Sequence, residues 1–263
     1  MRKVESIKEL RKICEKEFEK KHKQSLSKKI LRFLSIYITK LLLYTSVTAN
    51  QVTWFYTILG VIASILFFPG TYAMSLIGAI LLHFWYLIDH VDGEIARYRK
   101  CLSHKGYFLD YMSLQITHPL TFICMTFGVY KSYPYLLTLV AGFAITFSIM
   151  FFYSIDNTRY SFFISMKKGK ITRESQKINT SKLKKSLFYK IMMLIQKIGA
   201  KIWFLFAFDR AICIIFVAAL INQLHLIFFF YAIVYPILII FTVIYYYFFG
   251  IDNFLKEMNE KFG

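Results

Sequence analysis

Between Lys20 and Ile155 the chain carries four acidic residues, Asp89, Asp92, Glu94 and Asp110. Asp89 and Asp92 stand one helical turn apart, so a single helix face can present both. Asp110 follows after a short break and can complete the group from a neighbouring antiparallel helix. Three carboxylates from two helices form a hard-oxygen site suited to Mg2+ or Mn2+, with phosphate and water taking the remaining positions. The same residues admit a structural reading, in which Asp89 or Asp92 pairs with Arg97 or Arg99 and Asp110 caps a helix. Glu94 falls on a different face and has Lys100 or Arg99 as nearby ion-pair partners. His83, His90 and His104 form no recognisable ligand set, and Cys14, Cys101, Cys124 and Cys213 show neither disulfide nor thiolate-metal spacing. Asp209-Arg210 is either an internal ion pair or an anion contact through Arg210, and Arg159 is a further candidate anion contact.

The elements that position these groups belong to a membrane. Of 263 residues 57% are hydrophobic and 19% aromatic, with a net charge of +18. Only 18% are charged, against about a quarter in ordinary soluble domains, and the aromatic content excludes a disordered basic tail. Apolar runs long enough to cross about 30 Å of hydrocarbon fall near 51–69, 72–89, 107–130, 132–155, 202–221 and 225–250. Pro69-Gly70, Ser132-Tyr133-Pro134 and Asn222-Gln223 supply turns. The fold class expected is all-α: six transmembrane helices in a domain spanning 28–250, preceded by an interfacial amphipathic helix. With both ends in the cytoplasm, the outer connections hold one cation, Lys131, while 156–201 holds twelve Lys/Arg against two acids. That bias sets the orientation. Lys28, Arg32, Ser35 and Thr39 recur at helical spacing and leave Ile30, Leu31, Phe33, Leu34, Ile38, Leu41 and Leu42 mostly on the other side, which predicts the interfacial helix over 28–43. Residues 1–27 read as a basic cytoplasmic segment without a signal peptide and 251–263 as a cytoplasmic tail. The basic loop 156–201 is explained by anionic membrane lipid rather than nucleic acid. Tyr245-Tyr246-Tyr247 reads as an interfacial aromatic belt.

From Asp89 the sequence runs Asp89-x-x-Asp92-Gly93-x-x-Ala96-Arg97, then eight residues, then Gly106-x-x-x-Asp110. This resembles the signature of the CDP-alcohol phosphotransferase (CDP-alcohol phosphatidyltransferase) family, which continues with x-x-x-Asp. Thr48-Ala49-Asn50-Gln51-Val52-Thr53 resembles the family's Thr-Pro-Asn-x-x-Thr element, with Ala for Pro. The resemblance covers residues 28–250 and implies a reaction: a hydroxyl of an acceptor alcohol displaces CMP from a CDP-linked donor. It implies that Asp89, Asp92 and Asp110 hold the metal, that Gly93 and Ala96 leave room for the nucleotide, and that Arg97 contacts phosphate. Asn50, Gly106 and Arg210 are further substrate-binding expectations, and phospholipid or phosphodiester-linked glycan biosynthesis is the implied pathway. Many relatives are dimers, which makes a homodimer an expectation. Heavy use of Lys, Ile, Phe and Tyr points to an AT-rich genome and a bacterial inner membrane.

The signature's last Asp falls at position 114, which is Leu114. The family assigns that carboxylate the role of general base and second-metal ligand, and leucine does neither. Three readings follow. His118, on the same helix face as Asp110, takes the proton, although at about 1.5 Å per residue it sits roughly 12 Å further along. Alternatively, one metal suffices with little base catalysis, because a loose phosphoryl transition state asks less of the base. In the third reading the chain is a catalytically impaired homologue that binds nucleotide or lipid. The donor and acceptor alcohols are not identified by these residues.

Overall fold

The computed structural model describes residues 4–14, 26–167 and 207–247. Among them are eight helices and no strand: α1 (Ile7–Cys14), α2 (Leu26–Leu43), α3 (Ala49–Ile65), α4 (Tyr72–Tyr98), α5 (His104–Ser132), α6 (Leu136–Lys167), α7 (Phe208–Leu220) and α8 (Leu224–Tyr245). The Arg159 side chain, the segment 168–206 and the tail from 248 lie outside the described residues. Two compact units divide the chain: Met1–Leu139 with Phe208–Phe228, and Val140–Ala207 with Phe229–Gly263.

Among the described residues three helices are long and apolar enough to cross a membrane: Tyr72–Tyr98, Leu136–Ile155 within α6, and Leu224–Tyr245. α5 has the length, at 29 residues, but Ser113, Thr117, His118 and Thr121 are turned inward along it and dilute its hydropathy. α3, of 17 residues, shows the inverse of a soluble helix. Trp54, Phe55, Ile58, Ile62 and Ile65 are exposed along one stripe, while Thr53 and Ser64 are buried. Large apolar side chains facing outward in this number need a non-aqueous surrounding. The expected turns occur where Pro-Gly and Asn-Gln were read. Gly70 has φ +70° and Asn222 φ 56°, so both turns use left-handed backbone that Gly and Asn tolerate best.

The first unit is a bundle of α3, α4 and α5, with α1 and α2 against the C-terminal part of α4 and α7 against its middle. Close approaches hold it. A Cβ on Gly60 of α3 would lie 2.5 Å from Thr117 Oγ1 and 2.6 Å from the Trp85 ring, so only glycine lets α3 settle against both neighbours there. At one end a Cβ on Gly128 would lie 2.2 Å from the Phe67 carbonyl oxygen, and one on Gly70 would lie 2.3 Å from that of Gly128. Ser64 Oγ and Thr121 Oγ1, 2.9 Å apart, tie α3 to α5 between these levels. In the second unit Phe143, Phe147 and Phe151 stack at one-turn intervals along α6, and Tyr231 and Tyr235 stack and are buried on α8.

The polar stripe of α2 turns toward the protein. Ser35 and Thr39 are fully buried, whereas Ile30, Phe33, Leu34 and Leu41 are exposed. The reason lies in Glu94, whose carboxylate accepts from Ser35 Oγ and from Thr39 Oγ1, each at 2.6 Å. Glu94 therefore has hydroxyl partners on α2 rather than the ion pair with Lys100 or Arg99 expected from spacing. Arg99 instead donates to the Thr45 and Val47 carbonyls of the α2–α3 turn.

Candidate active site

α3 starts at a capping box. Thr48 Oγ1 accepts from the Gln51 N–H at 3.3 Å, and the Gln51 side chain accepts from the Thr48 N–H at 2.8 Å. With the start fixed, Thr53 and Tyr56 follow three residues apart on the face toward α4 and α5. Thr53 Oγ1 donates to Asp92 Oδ2 on α4 at 2.7 Å, and the Tyr56 hydroxyl donates to Asp110 Oδ1 on α5 at 2.7 Å. Asp89, one turn before Asp92, is close enough to Asp110 for the two carboxylates to oppose each other's charge. Each of the three carboxylates thus lies within electrostatic reach of the other two. Asp92 is the buried member, Asp89 is half-buried and Asp110 is exposed. His90 lies beside them: its Nδ1 is 2.8 Å from the Tyr86 carbonyl and 3.8 Å from Asp89 Oδ2.

Among the described residues no group of three or more His, Cys, Asp or Glu side chains converges tightly enough to form a metal centre as it stands. The donor chemistry fits Mg2+ or Mn2+, since every group is a hard carboxylate oxygen and the exposed Asp110 leaves room for phosphate and water.

Below the carboxylates the floor is aromatic. Tyr56 meets Trp85 edge-on at 6.2 Å, Trp85 meets Phe208 at 5.5 Å, and Phe208 stacks on His118 at 4.1 Å. The Trp85 indole donates to Ser113 Oγ at 3.3 Å. Leu114, beside Ser113, is half-buried, and His118 is buried one turn deeper on α5.

The other expected site residues fall around this cluster. Arg97, two turns after Asp89, donates from Nε to the Cys14 carbonyl at 2.6 Å. It folds back over Gly93, where a Cβ would lie 3.0 Å from the guanidinium, so the glycine makes room for the arginine. Ala96 is buried in an apolar cluster with Leu10, Cys14, Val52 and Ile95. Asn50 and Gly106 adjoin, for a Cβ on Gly106 would lie 2.8 Å from Asn50 Oδ1. Ser103 caps α5 there by accepting from the Gly106 N–H at 3.0 Å. Arg210 forms the ion pair with Asp209 at 3.7 Å at the start of α7. Sequence reasoning missed Tyr56. Its signal was present in the spacing from Thr53, but a hydroxyl in an aromatic-rich span gives no reason to single it out.

A family model for CDP-alcohol phosphatidyltransferase matches residues 46–244. The chain belongs to this family. No curated protein matches the chain. CDP-alcohol phosphatidyltransferases move a substituted phosphate group from a CDP-alcohol to an alcohol acceptor and generally depend on a divalent metal. The matched residues include α3, α4 and α5 with all three carboxylates, Thr53 and Tyr56, and begin after α1 and α2. Family and apolar helices together point to a membrane protein.

Proposed function

We propose that this CDP-alcohol phosphatidyltransferase transfers a phospho-alcohol or phosphatidyl group from a CDP-linked donor to an acceptor alcohol, releasing CMP. In this reading Asp89, Asp92 and Asp110 hold Mg2+ or Mn2+. The observation that carries it is that Asp89 and Asp92 of α4 and Asp110 of α5 lie within electrostatic reach of one another, with Asp92 and Asp110 each accepting from an α3 hydroxyl. When bound, the metal supplies charge neutralisation on the diphosphate. Thr53 and Tyr56 orient two of the carboxylates, as outer-shell partners of metal ligands do. Arg97 brings a permanent positive charge with a planar fork suited to phosphate. Asn50, which adjoins Gly106 at the start of α5, and Arg210 are further substrate contacts in this reading. The catalytic domain is proposed to cross the bacterial inner membrane six times with both termini cytoplasmic. α2 then lies in the interface with Ile30, Phe33, Leu34 and Leu41 toward lipid, and the product enters phospholipid or glycan-phosphate synthesis.

Leu114 favours a second reading, a homologue that binds CDP-alcohols without turnover, because no carboxylate stands at the signature's proton-accepting position. The test is CMP release by the purified chain in nanodiscs, with a panel of CDP-linked donors and acceptor alcohols in Mg2+ and Mn2+. Acceptor-dependent release that Asp92→Asn abolishes supports the enzyme. CDP binding without release from any pair, together with release gained in Leu114→Asp, supports the binder. If His118 takes the acceptor's proton, His118→Ala lowers turnover about 10²-fold and leaves CDP binding intact.

A further inference from the structure

α1 lies outside the residues that the family model matches, yet it is built onto the signature helix. Its start is a capping box. The Glu9 carboxylate accepts from the Ser6 N–H at 3.0 Å and from Ser6 Oγ at 2.7 Å, and Ser6 Oγ accepts from the Glu9 N–H at 3.3 Å. One helical turn apart, Leu10 and Cys14 are 0% and 3% exposed and pack with Val91, Ile95 and Ala96 of α4. Three polar contacts fix its rotation. The Tyr98 hydroxyl donates to Glu5, Arg11 sits 4.8 Å over the Phe33 ring of α2, and Cys14 Sγ donates to the Glu94 carbonyl at 3.5 Å. Cys14, on the same face as Leu10, also accepts from Arg97 Nε through its carbonyl at 2.6 Å. A backbone carbonyl held in place by a packed helix suits a guanidinium, whose N–H groups form charge-assisted hydrogen bonds.

We infer that α1 is a positioning element of the site: the Cys14 carbonyl fixes the plane of the Arg97 guanidinium for the diphosphate of the CDP-linked donor. The inference rests on the function proposed above. One N–H of Arg97 is given to Cys14, and Gly93 leaves the space in which the rest of the guanidinium lies. With α1 undocked, Arg97 keeps its charge but loses the Cys14 carbonyl, and phosphate binding must then supply the ordering which that bond provided.

The test uses the full chain in nanodiscs and CDP with Mn2+ as the probe. Leu10→Glu places a charge at a fully buried position and undocks α1, and Leu10→Ala removes the same packing without adding charge. Undocking is read at Cys14 by maleimide labelling in a Cys101→Ser, Cys213→Ser background. In the docked helix, burial with the nearby Glu94 charge holds this thiol up at about 11. The expected result is a reactive Cys14 and CDP affinity about 10-fold weaker, the scale of one charge-assisted hydrogen bond. In an Arg97→Lys background the same substitution is expected to cost nothing further, because the group it positions is gone. A purely structural role predicts equal losses in both backgrounds, and that result overturns the inference. So does a reactive Cys14 with CDP affinity within about 2-fold of the unmodified chain, or a Cys14 that stays shielded in both Leu10 variants. Absence of metal-dependent CDP binding by the unmodified chain instead overturns the proposed function, and this inference falls with it.

Discussion

Tyr56→Phe isolates one atom at the candidate site. The ring is fully buried and keeps its edge-on contact with Trp85, so the substitution removes the hydroxyl without emptying the core. What it removes is a 2.7 Å hydrogen bond to Asp110. A hydrogen bond to a charged acceptor contributes about 1.5–3 kcal/mol, or about 10- to 100-fold in an equilibrium constant at 1.4 kcal/mol per decade. If Asp110 is a metal ligand held in place by Tyr56, this loss appears in the metal dependence, as losses of outer-shell partners do. The assay is CMP release titrated with Mn2+ in nanodiscs. Half-saturating Mn2+ is expected to rise about 10-fold or more, while turnover at saturating metal returns to within a few-fold of the unmodified protein. Thr53→Val is the matched test for Asp92, whose carboxylate receives the other 2.7 Å bond. An unchanged Mn2+ dependence refutes the argument. A loss of turnover that no concentration of metal restores refutes it as well, since it assigns the hydroxyl to substrate or to folding.

Glu94→Ala takes the acceptor from two buried hydroxyls, of which Ser35 keeps a 3.3 Å contact to the Arg32 carbonyl and Thr39 does not. Thermal unfolding should show a loss of about 2–3 kcal/mol, and Glu94→Gln a smaller one, because the amide retains an acceptor. Gly128→Ala sets a methyl 2.2 Å from the Phe67 carbonyl oxygen, where backbone meets backbone and neither rotates away. A loss of at least about 1–3 kcal/mol is expected from unfolding, whereas Gly93→Ala meets only the Arg97 side chain and should alter CDP binding more than stability. Hydrogen bonds from Ser6 hold the Glu9 carboxyl below its ordinary 4.5. The sign follows: the cap it forms is fully present above about 4.5 and is lost as pH falls through the lowered value. Hydrogen exchange of the α1 amides, corrected for intrinsic rate, should accelerate over that acid range and stay flat above it.

What was legible in the sequence follows from which signals are local. Asp89-x-x-Asp92 shares a face because helical spacing requires it, and Pro69-Gly70 and Asn222-Gln223 break helices because few other residues accept their backbone. The helical period also sorted α2 into a polar stripe and an apolar remainder. It did not say that Ser35 and Thr39 face inward, because that direction is set by Glu94, 55 residues or more away in the chain. Tyr56 was hidden for the same reason, its partner Asp110 being 54 residues distant. α1 left a visible trace, Ser6-x-x-Glu9 followed by Leu10 and Cys14 at one-turn spacing. That trace was masked by the surrounding lysines and arginines, which make 1–27 read as solvated charge.

The glycine crossing at the far end of the bundle has a consequence for the carboxylates. Gly70 and Gly128 bring the α3–α4 turn and α5 together backbone to backbone, with no side chain between them to cushion a shift. From Gly128 to Asp110 along α5 is about 27 Å at 1.5 Å per residue, so the crossing acts as the fulcrum of a long lever. Over that arm, a tilt of one degree is about 0.5 Å at the carboxylates, comparable to the difference in bond length between a small divalent cation and a larger one. If these carboxylates hold a divalent ion as proposed, the choice of ion is tunable from a place no ion touches, by substitutions that change how closely two glycines approach.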